Sequence, residues 1–468
     1  MQNSQTTPSR AYIAIFSMAM MTFLGILNET SVNVTYPILS REFNTSLDVT
    51  QWITAGYLLT VTIVMGTTAY LLRQFPARRI HLVCVIIFIA GDVTCALAPN
   101  FGVLLAGRLI QAVATGLATP TMFFLILKFI PRQRLATMTG IGGMVISFAP
   151  ALGPTYGGAI VANWSWRMIF WLLLPFAIIS LIGGQLTIQN VPAGNQKSFS
   201  WGSLLTLAVA LFAVIDAVAT MGRQGFSKTF WLLLAGAIVF FACFCYINRH
   251  GSAQLFDTAV FHLPTIRLAA ICYFALQFIN IGISLVIPVY SQYTLHVSSF
   301  VAGVILLPGS ILGALVSPLA GRLADHRGFA LPVVLGACLL VIGASCFAFA
   351  QQSLTPWKMM WFFMIERVGF NSAFANTLSN SSTLVADHQV ADVNSIFNMT
   401  QQFAGALGVG LLTALMAIFQ NQGTGSLATR TYQGGQLDFW LLYGLAVLTL
   451  VLFIANYTIQ RIDELRKG

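Results

Sequence analysis

Fourteen apolar runs divide the chain, and each is long enough to cross a lipid bilayer. A helix rises about 1.5 Å per residue, so about 20 residues cross the roughly 30 Å of bilayer hydrocarbon. A helix satisfies its own backbone hydrogen bonds where water is absent, which predicts an all-α membrane protein. The predicted spans are 11–37, 50–72, 80–98, 101–128, 135–161, 165–186, 201–220, 229–248, 264–290, 299–320, 330–350, 357–384, 393–419 and 437–460.

The composition indicates the same class of protein. Hydrophobic residues make up 57% of the 468 residues and charged residues only 8%, whereas soluble domains have about 25% charged residues. The net charge is +10, but the basic residues do not cluster in the sequence into a patch that could bind nucleic acid. We therefore expect no nucleic-acid partner. The seven cysteines lie in apolar runs, where we expect buried hydrophobic side chains rather than disulfides or a metal site.

The Lys and Arg residues indicate an orientation. With the N-terminus inside, fifteen of them fall on the cytoplasmic side and six outside, with Arg108 and Arg367 left within spans. This bias predicts a multi-pass protein of the cell membrane with both termini in the cytoplasm. The first span has no small-residue cleavage pattern, so we expect it to be retained.

Two parts of the chain resemble each other. The segments GRLIQAVATGLATP from Gly107 and ERVGFNSAFANTLS from Glu366 each place an arginine near the start of a span. Two related six-span bundles are a transporter architecture, with a substrate site between them. The predicted domains are a first bundle (1–186), two inserted spans with linkers (187–262) and a second bundle (263–468).

Catalytic motifs are absent from the sequence. There is no GxxxxGK[ST] phosphate loop, no HExxH and no CxxC pair. An enzyme is therefore disfavoured, and we expect neither a cofactor nor a metal ion.

Ionisable residues inside predicted spans are the main functional candidates, because each costs about 2.5 kcal/mol or more at the centre of a membrane helix. Glu29, Asp92 and Arg108 fall at a similar depth in the first, third and fourth spans, which predicts a buried proton-coupling cluster. A structural Glu29–Arg108 ion pair is the alternative. Glu366 is a further coupling candidate, although its neighbour Arg367 points about 100° away. We expect the sixth such residue, Asp216, to be structural or interfacial.

Polar and aromatic residues supply the candidates for substrate binding. Asparagine and glutamine recur at helical spacing in the second half, where such a face looks onto water or onto other helices. Aromatic rings near polar positions could hold a lipophilic cation. The candidates are Asn28, Asn33, Trp52, Tyr57, Tyr156, Gln277, Asn280, Tyr290, Asn376, Asn380 and Asn398.

One span is unusually rich in helix-breaking residues. The stretch GIGGMVISFAPALGPTYGG, from Gly140 to Gly158, carries six glycines and two prolines. Membrane helices tolerate such residues where neighbouring helices pack closely. The stretch therefore predicts a kinked and tightly packed span.

Several of these segments resemble motifs of one transporter family. GPTYGG from Gly153 is similar to its GPxxGG signature, LNETSVNVTYP from Leu27 to its LDxTxVNVALP, and QWITAGYLL from Gln51 to its QWxxxxYxL. GRLIQAVATG is similar to its fourth-span motif, and GRLADHRG from Gly321 to its loop signature GxLaDrxGr. The chain thus resembles the fourteen-span drug/proton antiporters of the major facilitator superfamily.

The resemblance implies export of lipophilic, cationic drugs by alternating access, driven by the proton gradient, from a monomer in the lipid bilayer. It also implies conformational roles for the residues Gly153, Pro154, Gly157, Gly158, Gly321, Asp325, Arg327 and Gly328. The family's span-one acid is Asn28 here, with Glu29 next to it. Alternatives are an exporter or flippase of one metabolite or lipid, and a membrane sensor or assembly partner that transports nothing.

Overall fold

The structure is a computed structural model that describes residues 8–45, 52–189, 199–251, 254–350, 353–422 and 425–467. Across these ranges the long regular elements are α-helices. They are α1 (Pro8–Ser31), α2 (Tyr36–Glu42), α3 (Trp52–Gln74), α4 (Ala77–Ala96), α5 (Phe101–Phe129), α6 (Leu135–Asn163), α7 (Met168–Trp171), α8 (Leu174–Thr187), α9 (Trp201–Gln224), α10 (Lys228–His250), α11 (Pro264–Thr294), α12 (Ser299–Arg327), α13 (Ala330–Ala350), α14 (Pro356–Thr383), α15 (Val390–Gln422) and α16 (Leu427–Lys467).

Thirteen helical segments in the described ranges are long and apolar enough to cross a membrane, with α7 and α8 forming one segment together. The fourteenth predicted span, 357–384, forms the 28-residue helix α14. Helix α14 is long enough to cross, but the charged and amide side chains along its buried face make it more polar than the other thirteen. The predicted spans thus fall largely on helices in the described ranges, although span 11–37 continues past the end of α1 into a 3-10 turn and α2, and the count of fourteen stays a prediction.

The chain divides into two compact units. The first comprises Met1–Phe199 with Asp387–Met399, and the second comprises Ser200–Ala386 with Thr400–Gly468. The second unit therefore contains the two inserted helices α9 and α10, which the sequence analysis treats as a separate segment. That three-part division stays a prediction.

Helices α9 and α10 pack against each other and, through α9, against α15. The contact joins Ala217, Val218 and Met221 of α9 to Ala414 of α15. The opposite surface of α10 exposes large apolar side chains, including Trp231 and Leu232, as a lipid-facing helix does. On α9, the half-buried Asp216 lies 3.9 Å from the exposed Arg223, and its expected structural or interfacial role stays a prediction.

A polar link outside the spans fastens α2 to the segment before α7. Trp166 Nε1 donates to Glu42 Oε2 (2.7 Å), and Arg167 Nη1 donates to Glu42 Oε1 (2.8 Å). Burial raises the pKa of Glu42, but hydrogen bonds from Trp166 and Arg167 and the charge of Arg167 outweigh it and hold the pKa below its ordinary value of 4.5.

We expect the Glu42→Gln substitution to lower the melting temperature at pH 7 and to have no effect in acid. A carboxyl whose folded-state pKa is lowered stabilises the fold above its unfolded pKa, and this contribution is lost as the pH falls through the folded value. Solvent screens this half-exposed pair, so the effect at pH 7 is at most about 1 kcal/mol. Thermal unfolding of both proteins from pH 7 to below pH 4.5 checks this, and a difference that persists in acid contradicts it.

Candidate functional site

Arg108 is the centre of a buried polar network in the first unit. Its side chain, on α5, is fully buried. Its Nη1 donates to Asn28 Oδ1 (3.1 Å) and to Gln111 Oε1 (2.9 Å). Its guanidinium carbon lies 4.1 Å from the centre of the Tyr57 ring, a cation–π contact that a desolvated site strengthens. Nε and Nη2 have no hydrogen-bond partner among the described residues.

Asp92 is tied to Arg108 through two amide side chains. Its Oδ1 accepts hydrogen bonds from Asn28 Nδ2 (2.9 Å) and from Gln111 Nε2. Among the described residues, Oδ2 has no hydrogen-bond partner, and Asp92 and Arg108 form no ion pair within 4 Å. Asn28 and Gln111 thus separate the carboxylate from the guanidinium and leave one face of each group unsatisfied.

Glu29 lies beside this network without a direct bond to it. Its side chain is half-buried, and its buried Oε2 has no hydrogen-bond partner in the described chain. No ion pair within 4 Å joins it to Arg108 in the described structure. The alternative of a direct structural Glu29–Arg108 pair is therefore absent from this conformation.

Two predicted aromatic binders of the first unit have structural contacts instead. The Tyr57 hydroxyl shares a hydrogen bond with Thr115 Oγ1 (2.6 Å) and donates to Gly25 O (3.1 Å). Since Arg108 lies over its ring, that face is closed to a substrate cation here. Tyr156 donates to Ile169 O (2.9 Å) and so joins α6 to α7.

The remaining first-unit candidates are less buried or lie outside the description. Trp52 is 46% exposed. The side chains of Asn33 and Pro154 lie outside the described part of the structure, so their predicted roles stay predictions.

In the second unit, Arg367 meets the polar face of α11. Its Nη2 donates to Ser284 Oγ and to Asn280 O (3.4 Å), and its guanidinium carbon lies 4.5 Å from the Phe363 ring centre. Asn280 Nδ2 in turn donates to Gln277 Oε1 (3.3 Å). The polar stripe predicted on α11 therefore contacts Arg367 in this conformation and is not free along its whole length.

Glu366 points away from this contact, towards α13. It is fully buried at a close approach of α13 to α14, where a Cβ added at Gly343 would lie 2.8 Å from the Glu366 backbone nitrogen. Both carboxylate oxygens lack a hydrogen-bond partner among the described residues, and Oε2 lies 3.8 Å from Arg367 Nε. The adjacent pair thus faces two different helices, as the 100° rotation between neighbours predicts.

The other predicted binders of the second half make contacts within the protein. Two of them form hydrogen bonds inside their own helices. Asn376 Nδ2 donates to Ser372 O (2.8 Å), and Asn398 Nδ2 to Asn394 Oδ1 (2.8 Å). Asn380 Nδ2 reaches Gln460 Oε1 on α16 (3.4 Å). Tyr290 is buried and packs against Phe439.

The predicted conformational glycines differ in their surroundings. Gly153 approaches α1 so closely that an added Cβ would overlap Thr30, whereas the same atom at Gly158 would meet nothing within 4 Å. Gly328 has φ +82° and ends α12, a conformation that other residues seldom adopt. Gly157 and Gly321 are buried, Asp325 is half-buried and Arg327 is exposed.

Sequence reasoning missed three polar residues. Gln111 lies three residues after Arg108, a spacing that places both on one helix face. Asp392 is buried in α15 and accepts a 2.6 Å hydrogen bond from Arg73. Asp438 is buried near the start of α16. Both aspartates lie at the edge of a predicted span, where an acidic residue is ordinarily assigned to the membrane surface.

Comparison with known proteins gives consistent results. The family model described as Major Facilitator Superfamily matches residues 18–409. Lincomycin resistance protein LmrB of Listeria innocua serovar 6a is 31% identical over 408 residues, 87% of this chain and 86% of that relative. Multidrug resistance protein B homolog of Mycobacterium tuberculosis is 26% identical over 395 residues, covering 83% and 73% respectively. The solved proton:xylose symporter XylE shares the fold, with a TM-score of 0.67 over 96% of each chain at 13% identity.

Proposed function

Because the chain belongs to the major facilitator superfamily, we propose that it exports drug-like molecules across the cell membrane in exchange for protons. The relatives named for resistance to lincomycin and to multiple drugs support export as the direction. We further infer that it acts as a monomer, with both termini in the cytoplasm and no bound cofactor.

The observation that carries the proposal is an imbalance of charge in the first unit. One guanidinium, Arg108, is linked through Asn28 and Gln111 to the carboxyl group of Asp92, with that of Glu29 beside the network, and each carboxyl has an oxygen without a partner among the described residues. A net charge in a water-poor site is costly, so a neutral cluster is favoured. Neutrality requires one proton on the two carboxyl groups, which titrate as a coupled set.

This proton can be exchanged for a cationic substrate. A cation bound near Glu29 would supply the missing positive charge, and the cluster could then release its proton without becoming charged. Proton and drug would bind in competition, which is the condition for antiport. The Asn28 and Gln111 amides keep Arg108 from neutralising Asp92 permanently, so the proton remains exchangeable.

Replacing Glu29 by Gln is expected to abolish proton-coupled efflux while the protein stays folded. The amide keeps the shape of the side chain, but Arg108 and Asp92 are then neutral without a proton. Drug-driven proton release is measured with the purified protein reconstituted into vesicles that carry an imposed pH gradient. Asp216→Asn, at a half-buried position of α9 outside the cluster, is the matched control and should retain coupling. Unchanged proton release in Glu29→Gln would rule out the assignment.

The same vesicle assay defines the substrate class. We propose lipophilic cations, and a panel of cations, neutral drugs and anions should change the internal pH only with the cations. A response to one metabolite or lipid alone would favour a dedicated exporter or flippase. A panel without any response would favour a sensor or assembly partner.

A further inference from the structure

Asp438 is a buried carboxyl group that the proposed cluster does not use. It lies on α16 in the second unit, with a side chain that is 0% exposed. Neither of its two carboxyl oxygens has a hydrogen-bond partner in the described structure. An ionised carboxylate in such a place would lose its hydration without gaining a bond, which is among the most costly arrangements a protein can contain.

The face of α16 that carries Asp438 packs against α15. Thr431 Oγ1 accepts a hydrogen bond from Gln420 Nε2 (2.8 Å), and a Cβ added at Gly434 would lie 3.0 Å from Met416 Cα. Asp438 follows Gly434 by four residues and follows Gly435, which approaches Tyr290 of α11, by three, so it lies on the side of α16 between α15 and α11. On the neighbouring face, Phe439 contacts Tyr290 of α11 and Phe347 of α13.

No charge of the described residues compensates Asp438. No ion pair within 4 Å joins its carboxylate oxygens to a basic group of the described chain. The nearest arginine on its own helix, Arg430, lies two turns away, about 12 Å along the axis, and donates to Gln420 O. The titratable groups in this part of α11 and α16 are Tyr290, which packs against Phe439, and Tyr432, which packs against Tyr290. Glu366 of α14 borders α13 from the other side, next to Arg367.

We propose that Asp438 is a second proton-binding site, which carries a proton in this conformation and releases it in another conformation of the transport cycle. A role of Asp438 in exchange with substrate rests on the proposed antiport. In the present conformation the neutral acid is the form that the surroundings tolerate. Release requires that water or a cation reach the carboxyl group when the helices around it move.

Other buried polar atoms mark a route by which a proton could reach Asp438. Thr294 Oγ1, at the last residue of α11, and Arg430 Nε both lack hydrogen-bond partners among the described residues. Buried polar atoms of this kind ordinarily bind ordered water. Both belong to the ends of α11 and α16, where these helices approach the membrane surface, so water there would connect the solvent to the first turns of α16.

Infrared spectroscopy of the full-length protein in lipid nanodiscs tests the site directly. The wild-type protein should show a carboxylic-acid band that disappears as the pH is raised. Asp438→Asn should lose the component of this band that belongs to Asp438 and keep the component from the proton on Asp92 and Glu29, whereas Asp216→Asn should keep both. Asp438→Glu should retain an acid band at a shifted frequency, which covers the case in which the asparagine variant does not fold. A spectrum that Asp438→Asn and Asp438→Glu both leave unchanged would overturn the proposal.

A proton count separates this site from the proposed function. Addition of a transported cation to the purified protein in unbuffered solution should release one proton fewer from Asp438→Asn than from wild type. An equal count in the two proteins would show that Asp438 takes no part in exchange. If wild-type vesicles show no antiport while the infrared band still titrates, the proposed function fails and the proton site stands.

Discussion

Replacement of Arg108 by glutamine is expected to abolish drug-driven proton release and to lower the free energy of unfolding by about 3–5 kcal/mol. The guanidinium is the only positive charge among the described groups of the network around Asp92. Without it, Asp92 and Glu29 must both take up protons or remain as uncompensated charges. The hydrogen bonds by which Arg108 orients Asn28 and Gln111 on Asp92 are lost as well, so proton release is no longer tied to binding of the cation.

A double substitution separates the two effects of Arg108. In Arg108→Gln/Asp92→Asn, the asparagine can still accept the hydrogen bonds from Asn28 and Gln111, and a buried negative charge is removed with the positive one. We expect the double variant to be more stable than Arg108→Gln and still unable to transport. A double-mutant cycle measures the coupling free energy between Arg108 and Asp92. Arg223→Gln, at an exposed arginine, is the control and should change neither. A double variant no more stable than Arg108→Gln would contradict the charge-balance argument.

Apolar run length predicted the membrane-spanning helices well, because the bilayer sets both the length and the composition of a span. The major facilitator fold predicted from the resemblance is confirmed by the family match and by the structural likeness to XylE. Helix α14 shows where hydropathy alone is a weak predictor of a membrane span. Its buried polar face is sheltered by neighbouring helices, so it need not be apolar to lie within a membrane.

Counting residues along the spans predicts that Glu29, Asp92 and Arg108 lie at the same depth in the membrane. In the structure Asp92 and Arg108 are connected through Asn28 and Gln111. The sequence could not predict that two amides would separate them. Which atoms of Asn28 and Gln111 meet depends on how α1, α4 and α5 rotate about their axes, and that rotation is fixed by packing rather than by the local sequence. Asp438 escaped notice for a related reason, since its burial comes from neighbouring helices and not from its place in an apolar run.

The sequence predicts close helix packing in the glycine-rich stretch of α6, yet Gly91 of α4 also lies at a close contact, and no motif marks it. An added Cβ there would lie 2.8 Å from the Gln111 backbone nitrogen and 3.0 Å from Gly107 O, both on α5. Backbone atoms cannot move aside as a side chain can. Gly91 therefore sets the distance between the two helices that carry Asp92 and Gln111.

The Gly91→Ala substitution is accordingly expected to cost about 1–3 kcal/mol of stability, as overpacking does, and to reduce drug-driven proton release strongly. The added methyl group must push α4 from α5 and so lengthen the bond between Asp92 and Gln111. In an open helix the same change is neutral or stabilising, because alanine favours the helix by about 1 kcal/mol over glycine. Gly236→Ala on α10, where an added Cβ meets nothing within 4 Å, should show that opposite sign. Melting temperatures and vesicle assays of both variants decide the matter, and equal behaviour of the two would mean that the α4–α5 contact does not hold the site together.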